Sequence, residues 1–180
     1  GFETYQKILA EAMEELGMET GMASRNTTDS YVSDCTIETD QLALIPDSYI
    51  DITAEKIRIY KELDSISNEK DLEIMRGKLT DRFGKIPVEL ERLFDIVKIR
   101  QLGVKLGFEK IIIKNGVLIA FFILNPLSQY YKSDKFSKVL ENISMHPHIF
   151  EIKQPDNRLR IVARNIDSIS KAYSVLKKLQ

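Results

Sequence analysis

The spacing of hydrophobic positions changes along the chain and divides it into helical and β-like stretches. Between residues 53 and 107 the apolar positions recur every three or four residues, which predicts three helices. From residue 108 they alternate with polar positions in four short runs, and two further helical stretches are interleaved with these runs. The pattern predicts an α+β fold: N-terminal helices with a short β segment, then a β-β-α-β-β-α small antiparallel sheet with helices packed on it.

The first quarter of the chain is predicted to hold a helix, a loop and a β segment. A helix is predicted over 1–16 because its apolar residues form one stripe. Residues 17–33 are rich in Gly, Ser, Thr and Asn and have no period, which predicts a mobile loop. A β segment is predicted over 34–45. Together with the three helices it makes up a part 34–107, which joins a part 108–180 in a single domain 1–180.

Capping residues set the expected limits of the three helices. Thr53 is predicted to cap the first helix and Asn68 the second, because their side-chain oxygens can accept a hydrogen bond from a free backbone N–H group. Gly84 is expected to end the second helix in a left-handed conformation. Pro87 fits the first turn of the third helix, and Gly107 fits its end. That third helix is apolar on two sides, so we expect it in the middle of the domain.

Two hairpins are predicted in the second half of the chain. Asn115-Gly116 separates two apolar runs, and a type I′ turn favours this dipeptide because both central residues need a positive φ. A second hairpin is expected to pair 149–153 with 159–163 across a turn at 155–157. Ser133 is predicted to cap the helix between the hairpins.

The second helix has an unusual face opposite its apolar stripe. The stripe spans roughly 80° of the helix circumference and consists of Leu72, Met75, Leu79 and Phe83. The opposite face carries Ile74, Gly77 and Asp81 instead of the Lys, Glu or Gln typical of a solvated face. Glycine costs about 1 kcal/mol in a helix interior relative to alanine, but it lets another backbone come close. Two interpretations stay open: a docking surface, or an ordinary exposed face with one stray isoleucine.

The overall composition is that of a soluble globular protein. The 180 residues are 43% hydrophobic and 29% charged, and no apolar run approaches the roughly 20 residues that span a bilayer. The single Cys35 excludes an internal disulfide and fits a reducing cytoplasm. We therefore expect a cytoplasmic protein with no membrane partner.

Charge is distributed unequally, although the net charge is only −1. Residues 1–90 hold 19 acidic and 10 basic residues, whereas residues 91–180 hold 8 acidic and 16 basic residues. A basic half suggests nucleic acid binding, so a nucleic-acid-binding accessory domain is an alternative function. The basic residues are scattered, however, and can equally solvate helices or face the acidic half.

The sequence holds no recognisable catalytic or metal-binding motif. Neither G-x-x-x-x-G-K-[ST] nor G-x-G-x-x-G occurs, so no phosphate-binding loop is predicted. His146 and His148 flank Pro147, which fits a turn before a strand better than a metal site, because no third ligand is recognisable nearby. We expect no catalytic residue, cofactor or metal in this chain. An unrecognised hydrolase, a further alternative, would need a concave site with perturbed acids.

Five segments of the chain carry a resemblance to a known family. They are Gly1-Phe2-Glu3-Thr4-Tyr5 with Leu9-Ala10-Glu11-Ala12, Leu44-Ile45-Pro46-Asp47-Ser48-Tyr49-Ile50, Arg58-Ile59-Tyr60-Lys61, Asp81-Arg82-Phe83-Gly84 with Pro87, and Leu106-Gly107-Phe108-Glu109-Lys110-Ile111. In this order and spacing they resemble the carboxy-terminal domain of the bacterial transcription-repair coupling factor. The resemblance runs from residue 1 to about residue 115, and it implies that the chain is a regulatory domain of a larger protein.

The resemblance implies a function in transcription-coupled nucleotide excision repair. The full-length family is a large ATP-dependent DNA translocase that removes stalled RNA polymerase and recruits excision repair. Its sites for ATP with Mg²⁺, for DNA and for RNA polymerase are implied to lie elsewhere in the long protein. In the resting factor, the carboxy-terminal domain covers an amino-terminal module that resembles component B of the excision nuclease. This cover masks the surface of the module that binds component A of the same nuclease, so the implied role of the chain is non-catalytic autoinhibition.

The resemblance also assigns roles to residues at the end of the second helix. Asp81 is implied to pair with a basic residue of the covered module, and Arg82 to assist. The rest of the implied contact surface consists of Ile74, Gly77 and Lys78. The residues implied to build and end the helix are Leu79, Phe83, Gly84 and Pro87. Many relatives carry an acid at the position of Lys78. If that position forms an ion pair in the relatives, this chain must reverse the partner charge or do without the pair. The loss is about 0–1 kcal/mol at an interface rim, whereas breaking a fully desolvated charge pair costs roughly 3–5 kcal/mol.

Overall fold

The computed structural model describes residues 3–4 and 30–180, and five α-helices and six strands lie among these residues. The helices are α1 (Thr53–Ser65), α2 (Glu69–Phe83), α3 (Val88–Leu106), α4 (Asp134–Met145) and α5 (Ile169–Leu176). The strands are β1 (Glu3–Thr4), β2 (Thr36–Thr39), β3 (Phe108–Lys114), β4 (Val117–Phe122), β5 (Glu151–Lys153) and β6 (Arg160–Arg164). No helix in this part of the chain is both long and apolar enough to cross a membrane.

The strands form one mixed sheet in the order β1-β2-β3-β4-β6-β5. The four strands β3 to β6 pair antiparallel, as predicted for the β-β-α-β-β-α unit. β2, however, joins the sheet parallel to β3, with Ile37 opposite Ile111. The predicted α+β class is confirmed, but the sheet is mixed rather than purely antiparallel, and it unites the parts 34–107 and 108–180.

The predictions for the first 45 residues need correction or lie outside the described residues. Glu3 and Thr4, inside the predicted helix 1–16, form β1 because their backbone pairs with β2. The rest of that helix and residues 17–29 of the predicted loop lie outside the described residues. The β segment predicted over 34–45 is shortened to the four residues of β2.

Beyond Thr39 the chain leaves the sheet and its backbone bonds to helical residues instead. The N–H of Leu44 donates to the carbonyl of Glu89 at 3.2 Å, and the N–H of Ile45 donates to the Tyr60 hydroxyl at 3.0 Å. Ala43 and Ile45 are buried. The apolar run that suggested a strand is therefore a loop bonded to α1 and α3, in which Ala43 and Ile45 are buried while Leu42 is exposed.

The helix limits confirm some capping predictions and correct others. Asn68 caps α2, because its side-chain oxygen accepts the N–H three residues further on at 2.9 Å, and Ser133 caps α4 in the same way. Thr53 does not cap α1; it is the first helical residue, and Ile52 occupies the cap position without a side-chain hydrogen bond. Gly84 has a φ of 88° but a ψ of −163°, so it ends α2 in an extended rather than a left-handed helical conformation.

Both predicted hairpins are present. Asn115 and Gly116 have φ angles of 52° and 74°, as a type I′ turn between β3 and β4 requires. β5 and β6 pair across the turn at 155–157, although both strands differ from the predicted limits. β4 also pairs with β6, so the two hairpins form a continuous four-stranded part of the sheet.

α3 lies at the centre of the fold, as its two apolar sides predict. It contacts α5, β2 and β3. An ideal Cβ at Gly103 would lie only 2.6 Å from the Cys35 sulfur, which shows how closely the helix approaches the chain before β2. Gly107 ends the helix in the predicted left-handed conformation, with φ 95° and ψ 25°. The buried apolar residues of α3 are Leu90, Leu93, Phe94, Ile96, Val97, Ile99, Leu102 and Leu106.

Candidate functional site

The two sides of α2 differ in burial as the apolar stripe predicts. Leu72, Met75 and Leu79 are buried, and Phe83 is half-buried at the edge of the core. The five residues that the sequence singles out for contact are all exposed on this helix. These residues, here called the outer face, are Ile74, Gly77, Lys78, Asp81 and Arg82. The structure thus places the predicted contact residues together, and their role in docking stays a prediction.

The middle of the outer face is apolar and open. Ile74 is 49% exposed. No described atom outside the helix's own backbone lies within 4 Å of an ideal Cβ at Gly77, so nothing in this part of the chain requires a glycine there. A glycine in a helix interior costs about 1 kcal/mol relative to alanine. A glycine that lowers helix stability and has no explanation within its own chain is expected where the backbone of a partner comes close.

The charged residues of the outer face differ in what they contact. Arg82 donates from Nη2 to Oε1 of Glu55 at 2.7 Å and so ties α2 to α1. The side chains of Asp81 and Lys78 form no hydrogen bond or ion pair with any described residue. Asp81 is therefore available to a partner, whereas Arg82 already has an anion and stands beside Asp81 in a fixed position.

Glu55 holds two guanidinium groups at once. Its Oε2 accepts a hydrogen bond from Nη2 of Arg58 at 2.7 Å, while its Oε1 accepts the bond from Arg82. The hydrogen bond from Arg58, and to a smaller extent that from Arg82, holds the pKa of the Glu55 carboxyl below its ordinary value. The carboxylate is therefore ionised at neutral pH, and both of its oxygens are engaged.

Tyr49 fixes the C-terminal end of α2. Its hydroxyl lies 2.8 Å from the carbonyl oxygen of Gly84 and 3.1 Å from that of Leu79, so its single proton is donated to the helix end. Its ring packs on Phe83 with the centroids 5.9 Å apart. Two of the segments that carry the family resemblance, 44–50 and 81–84, thus contact each other. Segment 44–50 holds in place the end of α2, which carries Asp81.

Tyr49→Phe is expected to destabilise the chain by about 0.5–1.5 kcal/mol, because the ring stays in place while the hydrogen bond is lost. Urea unfolding of both proteins measures the difference. Tyr31→Phe is the matched control, since the hydroxyl of Tyr31 bonds to no described residue and its side chain is 46% exposed. Equal effects of the two substitutions would contradict the assigned role of the Tyr49 hydroxyl.

Pro87 was predicted in the first turn of α3, but it occupies the cap position just before the helix. It occupies the cap position of α3 with φ −71° and ψ 158°, so the helix begins at Val88 rather than at the proline. The proline carbonyl still accepts the N–H groups of Leu90 and Glu91, which starts the helical hydrogen-bond pattern. The fixed φ of proline suits either position, and the extended ψ excludes Pro87 from the helix itself.

Sequence reasoning missed three residues that shape the site: Tyr49, Glu55 and Arg58. All three lie in or next to α1, and Glu55 meets Arg82 across 27 positions of sequence. No periodic pattern reports a contact between charged residues on separate helices. The family segments 44–50 and 58–61 could have pointed to these residues, because they contain Tyr49 and Arg58, and Glu55 lies three residues before the second segment.

The described residues give no specific support to a metal site or to a nucleic acid site. No group of three or more His, Cys, Asp or Glu in residues 30–180 is placed to hold a metal ion. His146 contacts the carbonyl of Asn142 through Nδ1 at 2.9 Å, at the end of α4. Several bases of the second half are neutralised locally. These pairs are Lys110–Glu38, Arg158–Glu109 and Arg164–Glu151, with N–O distances of 3.1, 3.5 and 2.8 Å.

Fold and surface together define the class of the protein: an α+β domain with an exposed helix face of mixed apolar and charged character. Comparison with known proteins gives the family. Residues 39–133 match the TRCF domain family. The chain belongs to this family, the TRCF domain of transcription-repair coupling factors.

Relatives named transcription-repair-coupling factor occur in several bacteria. The chain is 31% identical to that of Rickettsia typhi over 168 residues, which is 93% of this chain, and 35% identical to that of Rickettsia prowazekii over 124 residues, which is 68% of it. It is 31% identical to the Escherichia coli protein over 113 residues, which is 62% of this chain. The chain spans only 14%, 10% and 9% of the lengths of these relatives. The similarity therefore extends beyond residue 115, further than the sequence resemblance indicated.

The fold is similar to that of a solved structure. The crystal structure of the C-terminal domain of transcription-repair coupling factor superposes with a TM-score of 0.65 at 20% sequence identity. The match covers 81% of this chain and 90% of that chain. At this identity the likeness concerns the fold alone, and it agrees with the family assignment.

Proposed function

We propose that this chain is a non-catalytic regulatory domain in transcription-coupled nucleotide excision repair. It docks on the amino-terminal module of its own full-length protein, the module similar to component B of the excision nuclease, and masks the surface that binds component A. It takes no cofactor itself, and ATP with Mg²⁺, DNA and RNA polymerase bind elsewhere in the full-length protein. The observation that carries the proposal is the outer face of α2, where an open glycine, an exposed isoleucine and an acid without a described partner lie together.

A contact with this role has to hold the resting state and still release it. Two sites in one chain meet at an effective concentration of about 1 mM when a flexible linker joins them. A dissociation constant of about 10–100 μM between the separate parts then closes roughly 90–99% of molecules. Release requires the translocase cycle to favour the open state by about 1.4–2.7 kcal/mol. This range is within reach of a conformational change in a nucleotide-driven protein.

The outer face suits a contact of this modest strength. Its apolar area is centred on one side chain, Ile74, and its other members are a glycine and three charged residues. Interfaces between domains of one chain are typically small and more polar than obligate interfaces. A larger apolar face would hold the domain shut and prevent regulation.

Calorimetric titration of this chain with the separate amino-terminal module tests the docking step. We expect a dissociation constant of about 10–100 μM, from the effective concentration of a tethered domain. Binding should weaken with added salt, because charged residues make up most of the outer face. No binding at about 1 mM of either partner, the effective concentration itself, would contradict the proposal.

Gly77→Ala is expected to separate stability from docking. Because the space around the ideal Cβ is open, alanine should stabilise α2 by up to about 1 kcal/mol and raise the melting temperature by about 2–4 °C. If the partner backbone packs on this glycine, the added methyl group lowers affinity in the calorimetric titration.

Thr80→Ala is the matched control for Gly77→Ala. It also raises helix propensity, at a position about 60° around α2 from Gly77 and away from Lys78 and Arg82, where the threonine hydroxyl donates to the carbonyl of Arg76. It should leave affinity for the module unchanged. Unchanged or higher affinity of Gly77→Ala would contradict a close approach of the partner at this position.

A further inference from the structure

We propose that the cleft between α1 and α2 accepts a carboxylate side chain of the docked module, beside the base that pairs with Asp81. This inference rests on the proposed docking function and adds the chemistry of the partner surface. The docking surface of the module would then carry two charged residues side by side: an acid that enters the cleft and a base that pairs with Asp81. The occupant of the cleft is an Asp or Glu of the amino-terminal module.

The cleft lies beside the outer face and is lined by both helices. It is a cavity of about 220 Å³ that opens to solvent. Arg58 from α1 and Lys78 and Arg82 from α2 line it, and Glu62 is the acid among its lining residues. Counting Glu55, which binds both arginines, three bases stand against two acids at the cleft, and the excess is one positive charge.

The two arginines keep hydrogen-bond donors for an incoming anion. Glu55 engages one nitrogen of each guanidinium at 2.7 Å, and a guanidinium has five N–H donors. The side chains of Arg58 and Arg82 are 56% and 54% exposed. Glu55 thus fixes the positions of both groups, but its single charge balances only one of them.

Lys78 adds a third charge that no described residue pairs with. It precedes Arg82 by one helical turn, so both side chains project on the same side of α2 and line the same cleft. A partner acid at this place would meet one ammonium and two guanidinium groups. A partner base would be repelled, and like-charge contacts of this kind exclude wrong partners.

The floor of the cleft is apolar and favours a side chain over a free inorganic anion. Ile59, Met75 and Leu79 line the cavity below the charged rim and are almost fully buried. The methylene groups of an Asp or Glu can cover this floor while its carboxylate reaches the rim. The arrangement therefore fits a carboxylate on a short aliphatic stem.

Charge reversal at Lys78 tests the inference. In the calorimetric titration, Lys78→Glu is expected to weaken binding to the module about tenfold, because it places two acids together. Lys78→Arg keeps the charge and should bind as the wild-type chain does. Lys61→Glu makes the same charge change at an exposed position of α1 outside the cleft, and we expect an effect below about threefold. Unchanged melting temperatures show that the variants are folded.

A charge swap then identifies the occupant. Exposed acids of the module are changed to Lys one at a time, and the change that restores binding to Lys78→Glu marks the carboxylate. If Lys78→Glu binds as tightly as the wild-type chain while Asp81→Arg does not bind, the inference is overturned and the docking function stands. If Lys78→Glu loses binding and no acid-to-Lys change in the module restores it, the inference that a carboxylate occupies the cleft is also overturned. If the wild-type chain does not bind the module, the inference and the proposed function fall together.

Discussion

Asp81→Arg is expected to abolish measurable binding to the amino-terminal module and to leave the melting temperature of the chain unchanged. The carboxylate is exposed and has no partner among the described residues, and substitutions at such surface sites usually change stability by less than about 0.5 kcal/mol. In the docked state the reversal removes one ion pair and places two bases together, which costs several kcal/mol. A loss of about 3–4 kcal/mol raises the dissociation constant about 150- to 1000-fold, to at least about 1.5 mM, which is beyond the effective concentration of the tethered domain.

Glu73→Arg is the matched control for this substitution. It makes the same change of charge on the same helix, about 12 Å nearer the N-terminus of α2. Glu73 is exposed and pairs with Arg76 at 3.4 Å, and Arg76 keeps a second partner in Glu91. Binding by Glu73→Arg should stay within about threefold of the wild-type chain, as expected for a rim charge. Unfolding of Asp81→Arg, or unimpaired binding by it, would remove Asp81 from the contact.

Gly107→Ala is expected to produce the largest loss of stability, about 2–4 kcal/mol of the free energy of unfolding. An ideal Cβ at this position would lie 2.3 Å from the ring of Tyr130, a fully buried side chain whose hydroxyl donates to the carbonyl of Leu106. Overpacking of this kind costs about 1–3 kcal/mol, and the φ of 95° adds about 1 kcal/mol for a residue with a Cβ. Urea unfolding should show a lower midpoint, and the melting temperature should fall by about 5–15 °C.

Gly116→Ala separates the two contributions at Gly107. Gly116 also has a positive φ, 74°, but nothing lies within 4 Å of its ideal Cβ. Only the backbone contribution applies there, so we expect a loss of about 1 kcal/mol. Similar losses for the two alanine variants would contradict the packing role of Tyr130 against the end of α3.

The sequence predicted those features whose physical cause lies within a few residues. Asn68 and Ser133 cap helices by accepting the N–H three positions on, and Asn115-Gly116 turns because of its own φ angles. The apolar stripe of α2 likewise follows from helix geometry, so the residues of the outer face opposite it could be identified from sequence alone. The family resemblance then directed attention to Asp81 within that face.

Features that depend on distant segments were not predictable in this way. β2 pairs parallel with β3 across more than seventy positions of sequence, and no local pattern specifies that partner. In the apolar run 42–45 only Ala43 and Ile45 are buried, and the N–H groups of Leu44 and Ile45 bond to Glu89 and the Tyr60 side chain instead of a strand. Hydrophobic pattern reports burial directly and secondary structure only through its period.

The same limit applies to the candidate site. No sequence pattern indicates that Glu55 holds Arg82, or that Arg58 and Lys78 line one cleft, because these contacts join α1 to α2. In the structure Arg82 stands beside Asp81 and binds Glu55, and its assisting role in docking stays a prediction. Lys78 is one of three bases that line this cleft.

Competition with component A of the excision nuclease tests the masking of the amino-terminal module most directly. Labelled component A is bound to the separate module, and this chain is added in increasing amounts. We predict that the chain displaces component A, that the concentration needed rises in proportion to component A, and that Asp81→Arg displaces none. A ternary complex in which component A binds the module equally tightly with and without a saturating amount of the chain would contradict masking.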